Sequence, residues 1–400
     1  MRMNDQGGSA RFGRCSLIGL ALALTLVAVP RAGLAEPVGS DSVPRIVSAN
    51  GNHALLVDGE PYLMLGAQAH NSSNYPEPLK KVWPVLREMG ANTLEIPVAW
   101  EQVEPREGQF DFSWLDTLIA EARQNQVRLV LLWFGAWKNT NPNYSPAWVK
   151  LDNNRFPRMI NAKGETHYAL TPNHPAIREA DRRAFVRMME YLRDHDRANT
   201  VIMVQVENEP GSYGLVRDHS PLAEKQFAGP VPTALCRKVA CKGRTWREAY
   251  GKDADEYFQA WSIASHIEAL AAAGKAVKPL PMYANAALAS AFGRQDAATY
   301  ASGGPVHHVI DVYKAAAPSL DLVAPDIYAR DEKAIEAYLG FYDRSDNPLF
   351  VPEIANDRPF ARFFYSLVGR GGIGFAPFGM DGTDYSNHPL GAKKLEDSLP

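Results

Sequence analysis

The sequence has few cysteines, no excess of positive charge and a single long hydrophobic run. Its 400 residues include 3 Cys, and 42 Lys and Arg against 45 Asp and Glu give a formal net charge of −3. This balance argues against a nucleic-acid-binding surface and against a polybasic membrane patch. The composition is 46% hydrophobic and 22% charged, which is typical of a globular chain that can bury a large core.

The hydrophobic run lies near the N-terminus, where the sequence predicts a secretory signal peptide. Arginines precede the run at residues 16–29, and the small residues Gly33 and Ala35 follow it. This order predicts a signal peptide over residues 1–35, cleaved after Ala35, and a mature domain over 36–400. The alternative is a membrane anchor, but the run is shorter than the roughly 20 residues that cross a bilayer. We therefore expect export to the periplasm or the extracellular space, with no membrane attachment after cleavage.

Two cysteines, Cys236 and Cys241, remain after the predicted cleavage, and they lie in the short segment CRKVAC. Because an exported protein meets an oxidising compartment, we expect a disulfide that closes this loop, with two free thiols as the alternative. Two cysteines without a histidine at ligand spacing do not make a zinc site. The sequence therefore predicts neither a bound metal nor a cofactor.

Short hydrophobic runs alternate with helical patterns along most of the chain. Their nearly continuous apolar character indicates strands covered on both faces, as in parallel sheets. Eight such runs are present, at residues 61–68, 92–100, 127–135, 201–209, 280–288, 321–329, 349–355 and 372–380.

Apolar residues recur at helical spacing between the predicted strands. Leu115, Leu118, Ile119 and Ala122 form one such stripe, and another predicts a single helix over 360–367. Because no glycine-rich phosphate loop follows the first strand, the alternation favours a (β/α)8 TIM barrel over an open doubly wound sheet. No helix with an apolar stripe follows the eighth strand, so we expect the barrel to end just after it.

Polar side chains follow the hydrophobic strands where an active site is expected. Strand four ends at Glu207, Asn208 and Glu209, and strand seven contains Glu353. The carboxyl ends of barrel strands build the active site of a TIM barrel, so these residues should converge. Two facing carboxylates suit glycoside hydrolysis, in which one protonates the leaving oxygen and the other attacks the anomeric carbon or activates a water. Surface charge is the alternative for each glutamate, and for Glu207 the two interpretations stay equally open.

Two segments resemble known glycosidases. The segment QVENEPGSYG, residues 205–214, resembles the acid/base motif of glycoside hydrolase family 35, the β-galactosidases, and residues 96–135 are similar to the same region of families 35 and 42. The resemblance covers residues 45–390 and implies a retaining (β/α)8 glycosidase. The most similar members form a bacterial subgroup that usually carries a further C-terminal domain, which this sequence lacks.

The resemblance assigns roles to individual residues. Glu209 matches the general acid/base, and Glu353 matches the nucleophile. Asn208 matches the amide that binds the sugar 2-hydroxyl, and Tyr328 matches a tyrosine that contacts the nucleophile. The acid should then have a raised pKa, whereas the nucleophile should stay ionised.

The region after strand three departs from the family 35 pattern. The chain has FGAWKN where many members carry a CAEW-like motif, and Pro97 replaces a sugar-contacting tyrosine. Recognition of the axial 4-hydroxyl then depends on other groups. Trp137, Asn139 and Trp100 are further candidates for substrate contact, and His70 and Asn71, which follow strand one, are candidates for the pocket lining. Either tryptophan would stack on a sugar face, with core packing as the alternative.

These features lead us to expect an exported retaining exo-β-galactosidase that acts on terminal β-D-galactosyl residues of oligo- or polysaccharides. Another retaining β-glycosidase of the same clan, such as a β-glucosidase, β-mannosidase or endo-glycanase, is the first alternative because of the altered strand-three loop. A non-catalytic carbohydrate-binding barrel is the second alternative, but it does not require the two carboxylates and the amide that are present.

Overall fold

Eight parallel strands close into a barrel in the computed structural model, which describes residues 43–381. Each strand pairs with its neighbours in sequence, and the eighth pairs with the first, so the sheet has no open edge. This confirms the predicted (β/α)8 barrel. The strands, numbered one to eight in chain order, are Met64–Gln68, Thr93–Ala99, Arg128–Lys138, Val201–Asn208, Met282–Ala287, Leu322–Ile327, Phe350–Ile354 and Gly374–Pro377.

Helices surround the barrel because each carries an apolar stripe toward the strands. In the helix Ser113–Gln124, the predicted stripe is buried in the main hydrophobic core. The other helices of six residues or more are Pro76–Met89, Pro175–His195, Pro221–Phe227, Thr233–Lys238, Ala254–Val277, Ile310–Ala316, Glu332–Tyr342 and Phe363–Gly369. Shorter helices are Trp100–Val103, Ala147–Lys150, Trp246–Tyr250 and Arg358–Ala361, and single 3-10 turns are Gly251–Asp253, Ala297–Thr299 and His307–Val309.

The single helix predicted over 360–367 is wrong, because the segment forms two short helices. Arg358–Ala361 ends before Arg362, and Phe363–Gly369 follows it. Phe363 and Leu367 are buried and Phe364 is half-buried against the same core, so the stripe packs as expected even though the helix divides.

An antiparallel sheet of three short strands precedes the barrel: Arg45–Ala49, Asn52–Val57 and Glu60–Pro61. Its last turn has positive φ at Asp58 and Gly59. Leu55 and Val57 join the cluster of side chains that fills the barrel interior, which includes Val130, Tyr283 and Phe350. The interior is therefore a packed core, and a binding site must lie at a strand end.

Long segments follow strands three and four. The first contains the hairpin Arg158–Ile160 and Thr166–Leu170, and the second contains Cys236 and Cys241. The two cysteines are joined in a disulfide, with their Cα atoms 5.1 Å apart. These segments extend from the carboxyl ends of the strands, where a TIM barrel places its active site.

The predicted signal peptide lies outside the described residues, as does the tail at 382–400. Between residues 43 and 381, no helix combines the length and the hydrophobicity needed to cross a membrane.

Candidate active site

A cavity of about 490 Å³ opens at the carboxyl ends of the barrel strands. Four of the predicted site residues line it: Glu209, Glu353, Tyr328 and Asn139. Its other lining residues are Asn71, Lys138, Tyr213, Ala287, Leu288, Asp326, Ala329, Tyr338 and Phe378. The structure thus brings together Glu209 and Glu353, whose positions in the sequence differ by 144 (353 minus 209).

Three buried carboxylates meet in this cavity. One oxygen each of Glu209, Asp326 and Glu353 lies within 4.8 Å of the other two. Asp326 pairs directly with Glu353 in the register of strands six and seven, which sets them side by side. Three negative charges this close in a site of low polarity repel strongly, so the group holds protons at neutral pH.

Glu353 is held by two hydrogen-bond donors. The hydroxyl of Tyr328 donates to Oε1, and Gln68 Nε2 donates to Oε2 at 3.0 Å. Burial and the charge of Glu353 raise the pKa of Tyr328 well above its usual range, so the phenol keeps its proton and remains a donor. Two donors stabilise a negative charge on Glu353, which is what a nucleophile requires. Gln68 was not predicted, although its polar side chain ends the otherwise apolar strand one.

Glu209 lies in a different environment. Burial, followed by the charge of Glu353, raises its pKa to about 7, and Lys138 acts in the opposite direction. Asn139 Nδ2 donates to Oε2 of Glu209, and the backbone N–H of Glu209 donates to Asn285 Oδ1 at 2.9 Å. A carboxyl group with this pKa holds a proton near neutral pH and can release it, as a general acid does.

Asn285 and Asp326 are site residues that the sequence analysis did not assign. Asn285 Nδ2 donates to Asp326 Oδ2 at 2.6 Å, so one amide connects strands five, six and four. Burial, then the charges of Glu353 and Glu209, raise the pKa of Asp326 well above its usual range. The signal for Asn285 was a lone amide within an apolar strand, and for Asp326 its position at the end of strand six.

Asn208 lies directly before Glu209 and is fully buried. Neither its side-chain oxygen nor its nitrogen has a hydrogen-bond partner within residues 43–381. Because buried amides are normally hydrogen-bonded, a pair of unsatisfied atoms beside the carboxylates is suited to a ligand hydroxyl.

Three predicted substrate contacts are corrected, because the side chains lie behind the cavity wall. Trp100 is fully buried, donates through Nε1 to Glu104 at 3.0 Å and packs edge-on against Trp148. Trp137 is also fully buried, with its Nε1 bonded to Leu170 O at 3.2 Å. Core packing is therefore the correct interpretation for both tryptophans.

His70 is the third correction. Its side chain is fully buried, and its ring packs edge-on against Phe378 with 5.5 Å between centroids. Its backbone N–H donates to Asp381 Oδ1 at 2.8 Å. The next residue, Asn71, lines the cavity instead.

The backbone is unusual where strands three and four end. Asn139, Thr140, Glu207 and Glu209 all have positive φ, between 44° and 65°. Non-glycine residues rarely adopt this conformation, and clusters of them occur at functional sites that the surrounding structure holds in place. Here the N–H groups of Asn139 and Thr140 donate to the carbonyls of residues 208 and 209, each at 3.1 Å.

Glu207 is turned away from the cavity and stabilises the end of strand three. Its carboxylate accepts the backbone N–H of Trp137 at 2.7 Å and that of Ala136 at 3.3 Å. Asp181 accepts Trp133 Nε1 at 2.9 Å, and His266 Nε2 lies 3.1 Å from its other oxygen.

This buried cluster of Asp181, Glu207 and His266 leaves no room for extra atoms. A Cβ at Gly135 would lie 2.6 Å from Glu207 Oε1 and 2.7 Å from Asp181 Oδ1. Burial and the neighbouring charge of Asp181 raise the pKa of Glu207 well above its usual range. Glu207 is therefore neither a surface charge nor part of the cavity lining. It orients the site, because the segment that it holds continues into Lys138 and Asn139.

A family model described as Beta-galactosidase, glycoside hydrolase family 42, matches residues 74–268. This finding corrects the expected assignment to family 35, since the matching model is that of family 42. The match includes strands two to four and Glu209, whereas Glu353 lies beyond it. The role assigned to Glu353 therefore depends on the geometry described above and not on the family match.

Curated relatives and solved structures agree with this match. A beta-galactosidase of Xanthomonas manihotis is 30% identical over 173 residues, which are 42% of this chain and 27% of that protein. Beta-galactosidase BgaA of a Thermus species is 26% identical over 154 residues, covering 36% and 22% respectively. The matched segment thus spans about a quarter of the length of these relatives.

Structural similarity extends over more of the chain. A beta-galactosidase from Bacillus circulans sp. alkalophilus has a TM-score of 0.55 at 16% identity, covering 79% of this chain and 50% of that one. The catalytic domain of a beta-amylase from Paenibacillus polymyxa has a TM-score of 0.59 at 14% identity, covering 82% and 94%. At these identities the likeness establishes the barrel fold.

Removal of the Glu207 carboxylate should destabilise the fold more than its neutralisation. Glu207→Ala leaves the buried N–H of Trp137 without its acceptor and that of Ala136 with Asp181 Oδ2 alone. The expected cost is about 1–3 kcal/mol in the free energy of unfolding. Glu207→Gln keeps an acceptor oxygen and should cost less than half as much. Chemical denaturation at pH 7 measures both, with the exposed Glu77→Ala as control. Equal losses in the two Glu207 variants would contradict the proposed role of the acceptor oxygens.

The raised pKa of Glu209 predicts a pH-dependent stability. The folded value is about 7 and the ordinary value is 4.5, so the contribution of Glu209 to stability is lost as pH rises from about 4.5 to about 7. Glu209→Gln removes the ionisation. The free energy of unfolding of the variant minus that of the wild type should therefore increase by on the order of 2–4 kcal/mol from pH 5 to pH 8.

The measurement is chemical denaturation of both proteins at the two pH values. Glu77→Gln, at an exposed position, is the matched control. A difference between wild type and Glu209→Gln that stays constant from pH 5 to pH 8 would show that Glu209 is not a buried acid with a raised pKa.

Proposed function

We propose that this chain hydrolyses terminal β-D-galactosyl residues of oligo- or polysaccharides with retention of anomeric configuration. The observation that carries the proposal is the asymmetry of two close, buried carboxylates: Glu353 has two donors, whereas Glu209 has a pKa raised to about 7. A galactose substrate is supported by the family 42 match and by the beta-galactosidases among its relatives.

In the first step, a carboxylate oxygen of Glu353 attacks the anomeric carbon. The bond from that carbon to the leaving oxygen breaks, and Glu209 gives its proton to that oxygen, so that the alcohol leaves neutral. In the second step, Glu209 is ionised and removes a proton from water, whose oxygen displaces Glu353 from the anomeric carbon. The sugar is released with its original configuration, and both carboxyl groups return to their starting protonation states.

Retention is supported by the short separation of the carboxylates. Inverting glycosidases leave about 6.5–9.5 Å between their two carboxyl groups to accommodate a water, whereas retaining enzymes leave about 5–5.5 Å. One oxygen of Glu209 lies within 4.8 Å of one oxygen of Glu353. This close approach favours direct attack by a carboxylate, with a covalent glycosyl-enzyme intermediate, over activation of a water held between the two groups.

The remaining polar groups have supporting roles in this proposal. Asn208 supplies the unpaired amide that would bind the sugar hydroxyl next to the anomeric carbon. Asp326, whose pKa is raised by burial and by the charges of Glu353 and Glu209, lies beside Glu209, and a proton on Asp326 would stabilise the ionised Glu209 needed in the second step. Asn139 and Lys138 act in the same direction on Glu209.

A second candidate is another retaining β-glycosidase of the same clan. The observation that favours it is the cavity wall formed by strand three, where Lys138 and Asn139 contact the space available to the sugar. Neither residue alone distinguishes an axial from an equatorial 4-hydroxyl, so the choice of glycone is a matter for direct assay.

We also propose that the protein is exported after cleavage of the leader at residues 1–35. The order of charged, hydrophobic and small residues supports this, as does the pairing of Cys236 with Cys241, since disulfides persist in oxidising compartments. Expression of the full chain in a Gram-negative host should yield a periplasmic or secreted product whose N-terminus is residue 36. N-terminal sequencing and cell fractionation measure this, and an uncleaved cytoplasmic product would contradict it.

The central test compares hydrolysis of aryl β-D-galactoside, β-D-glucoside and β-D-mannoside. The wild type should prefer the galactoside at least tenfold in kcat/KM, and Glu353→Gln should lose roughly 10³-fold or more of that activity on every substrate. Glu209→Ala should slow the release of the sugar, and added azide should restore turnover by forming β-galactosyl azide, since azide needs no general base.

Each possible outcome separates the candidates. Preference for glucoside or mannoside would favour the second candidate. Full activity in Glu353→Gln would refute the nucleophile assignment. Absence of turnover of any sugar by folded protein would favour a carbohydrate-binding barrel without activity. Glu77→Gln, on an exposed helix surface, serves as the control variant.

A further inference from the structure

Two half-exposed tyrosines lie near the acid/base, one that lines the cavity and one that is hydrogen-bonded to the first. Tyr213 lines the cavity together with Glu209 and is 43% exposed. Tyr168 belongs to the hairpin that follows strand three and is 40% exposed. Single exposed aromatic residues are common on protein surfaces, so exposure alone does not indicate a binding site. The hydrogen bonds of this pair and its place beside Glu209 are more informative.

The two tyrosines are fixed to each other and to the catalytic loop. The hydroxyl of Tyr168 is 2.6 Å from Thr140 Oγ1, and it accepts the backbone N–H of Tyr213 at 3.4 Å. His167 Nε2 is 2.9 Å from the carbonyl oxygen of Tyr213, and the rings of His167 and Tyr168 are 4.0 Å apart between centroids.

These bonds join two segments that are distant in sequence, the hairpin after strand three and the turn after strand four. Side chains held in this way lose little conformational entropy when a ligand binds, which is the property of a preorganised binding surface. Thr140 follows Asn139, the donor to Glu209, so the same connection links the tyrosines to the acid/base.

The location of the pair identifies which part of a substrate it would meet. Glu209 protonates the leaving oxygen, so the leaving group lies on the side of Glu209, whereas the sugar under attack lies against Glu353. Tyr213 is on the Glu209 side, because it lies in the turn that follows Glu209 and is bonded through Tyr168 to Thr140, the neighbour of the residue that donates to Glu209. Burial first, and then the charges of Glu209 and Tyr168, raise the pKa of Tyr213 to about 12. Its phenol therefore stays neutral at the pH at which Glu209 works.

A pyranose ring is the leaving group that suits this surface. Aromatic rings offer a large, rigid apolar area with a polar hydroxyl at one end, which matches a sugar with apolar C–H faces and hydroxyl edges. A simple alkyl group would use only the apolar part.

We propose that Tyr168 and Tyr213 form the subsite that binds the leaving-group sugar, so that the substrates are saccharides in which a further sugar follows the terminal residue. The inference rests on the proposed glycosidase function and adds the residues that bind the sugar next to the terminal one.

The test compares two substrates, β-D-galactosyl fluoride, whose leaving group is fluoride, and a β-linked galactosyl disaccharide. The measured quantity is the ratio of kcat/KM for the disaccharide to kcat/KM for the fluoride. Tyr213→Ala and Tyr168→Ala should each lower this ratio about three- to tenfold, the size expected for loss of one aromatic contact. Tyr213→Phe keeps the ring and should retain most of the ratio.

Tyr365→Ala is the matched control, since Tyr365 is 77% exposed on the helix Phe363–Gly369 and should leave the ratio unchanged within twofold. If Tyr168→Ala fails to fold, Tyr168→Leu keeps the volume without the aromatic ring and carries the same expectation.

The outcomes distinguish this subsite from the underlying function. If the wild type hydrolyses the fluoride but the alanine variants keep the wild-type ratio, the subsite is refuted and the glycosidase function stands. Equal losses on both substrates would also refute it, because the tyrosines would then act through Glu209. If the wild type hydrolyses neither substrate, the proposed function fails and the subsite fails with it.

Discussion

The confinement of three carboxylates to one buried end of the barrel is the constraint on which the rest of the site depends. Glu209, Asp326 and Glu353 come from strands four, six and seven, and their oxygens approach within 4.8 Å. Such a group is stable only if some of its members keep their protons, and the surrounding donors decide which. Tyr328 and Gln68 donate hydrogen bonds to Glu353, whereas burial and the charge of Glu353 raise the pKa of Glu209 to about 7, which suits the proton donor of the proposed chemistry.

A separate buried carboxyl pair, Asp181 and Glu207, stabilises the backbone next to these three carboxylates. It holds the backbone at the end of strand three, and the next residues deliver Asn139 to Glu209. Positive φ angles at the ends of strands three and four show that this geometry is imposed by the surroundings rather than preferred locally. The site therefore combines strained backbone with repelling charges, and the large packed core supplies the stability that both require.

The sequence was sufficient for the barrel because nearly continuous apolar runs and helical stripes are set by burial, which operates along the whole chain. It also indicated that Glu209 and Glu353 would meet, since polar residues at the ends of buried strands are informative, and both line the cavity; their catalytic roles stay a prediction. It failed for Trp100 and Trp137, because a tryptophan next to a site has the same appearance in sequence whether its ring faces a cavity or the core. Asn285, Gln68 and Asp181 were missed because their partners are distant in sequence, and only closure of the barrel brings them together. The helix at 360–367 was misjudged because periodicity does not reveal a break at Arg362.

The seam between strands one and eight has a consequence for how the chain acquires its structure. Met64 pairs with Gly374, and the N–H of Met64 donates to the carbonyl of Ile373 at 3.0 Å. Residues from opposite ends of the domain must therefore meet before the interior is closed. Leu55 and Val57, from the N-terminal strands, contact all their neighbours in the interior only after this closure. Contacts of such long sequence separation form slowly, and unpaired strand edges stay open in the meantime. A nascent chain accordingly completes its barrel only after synthesis has passed the eighth strand.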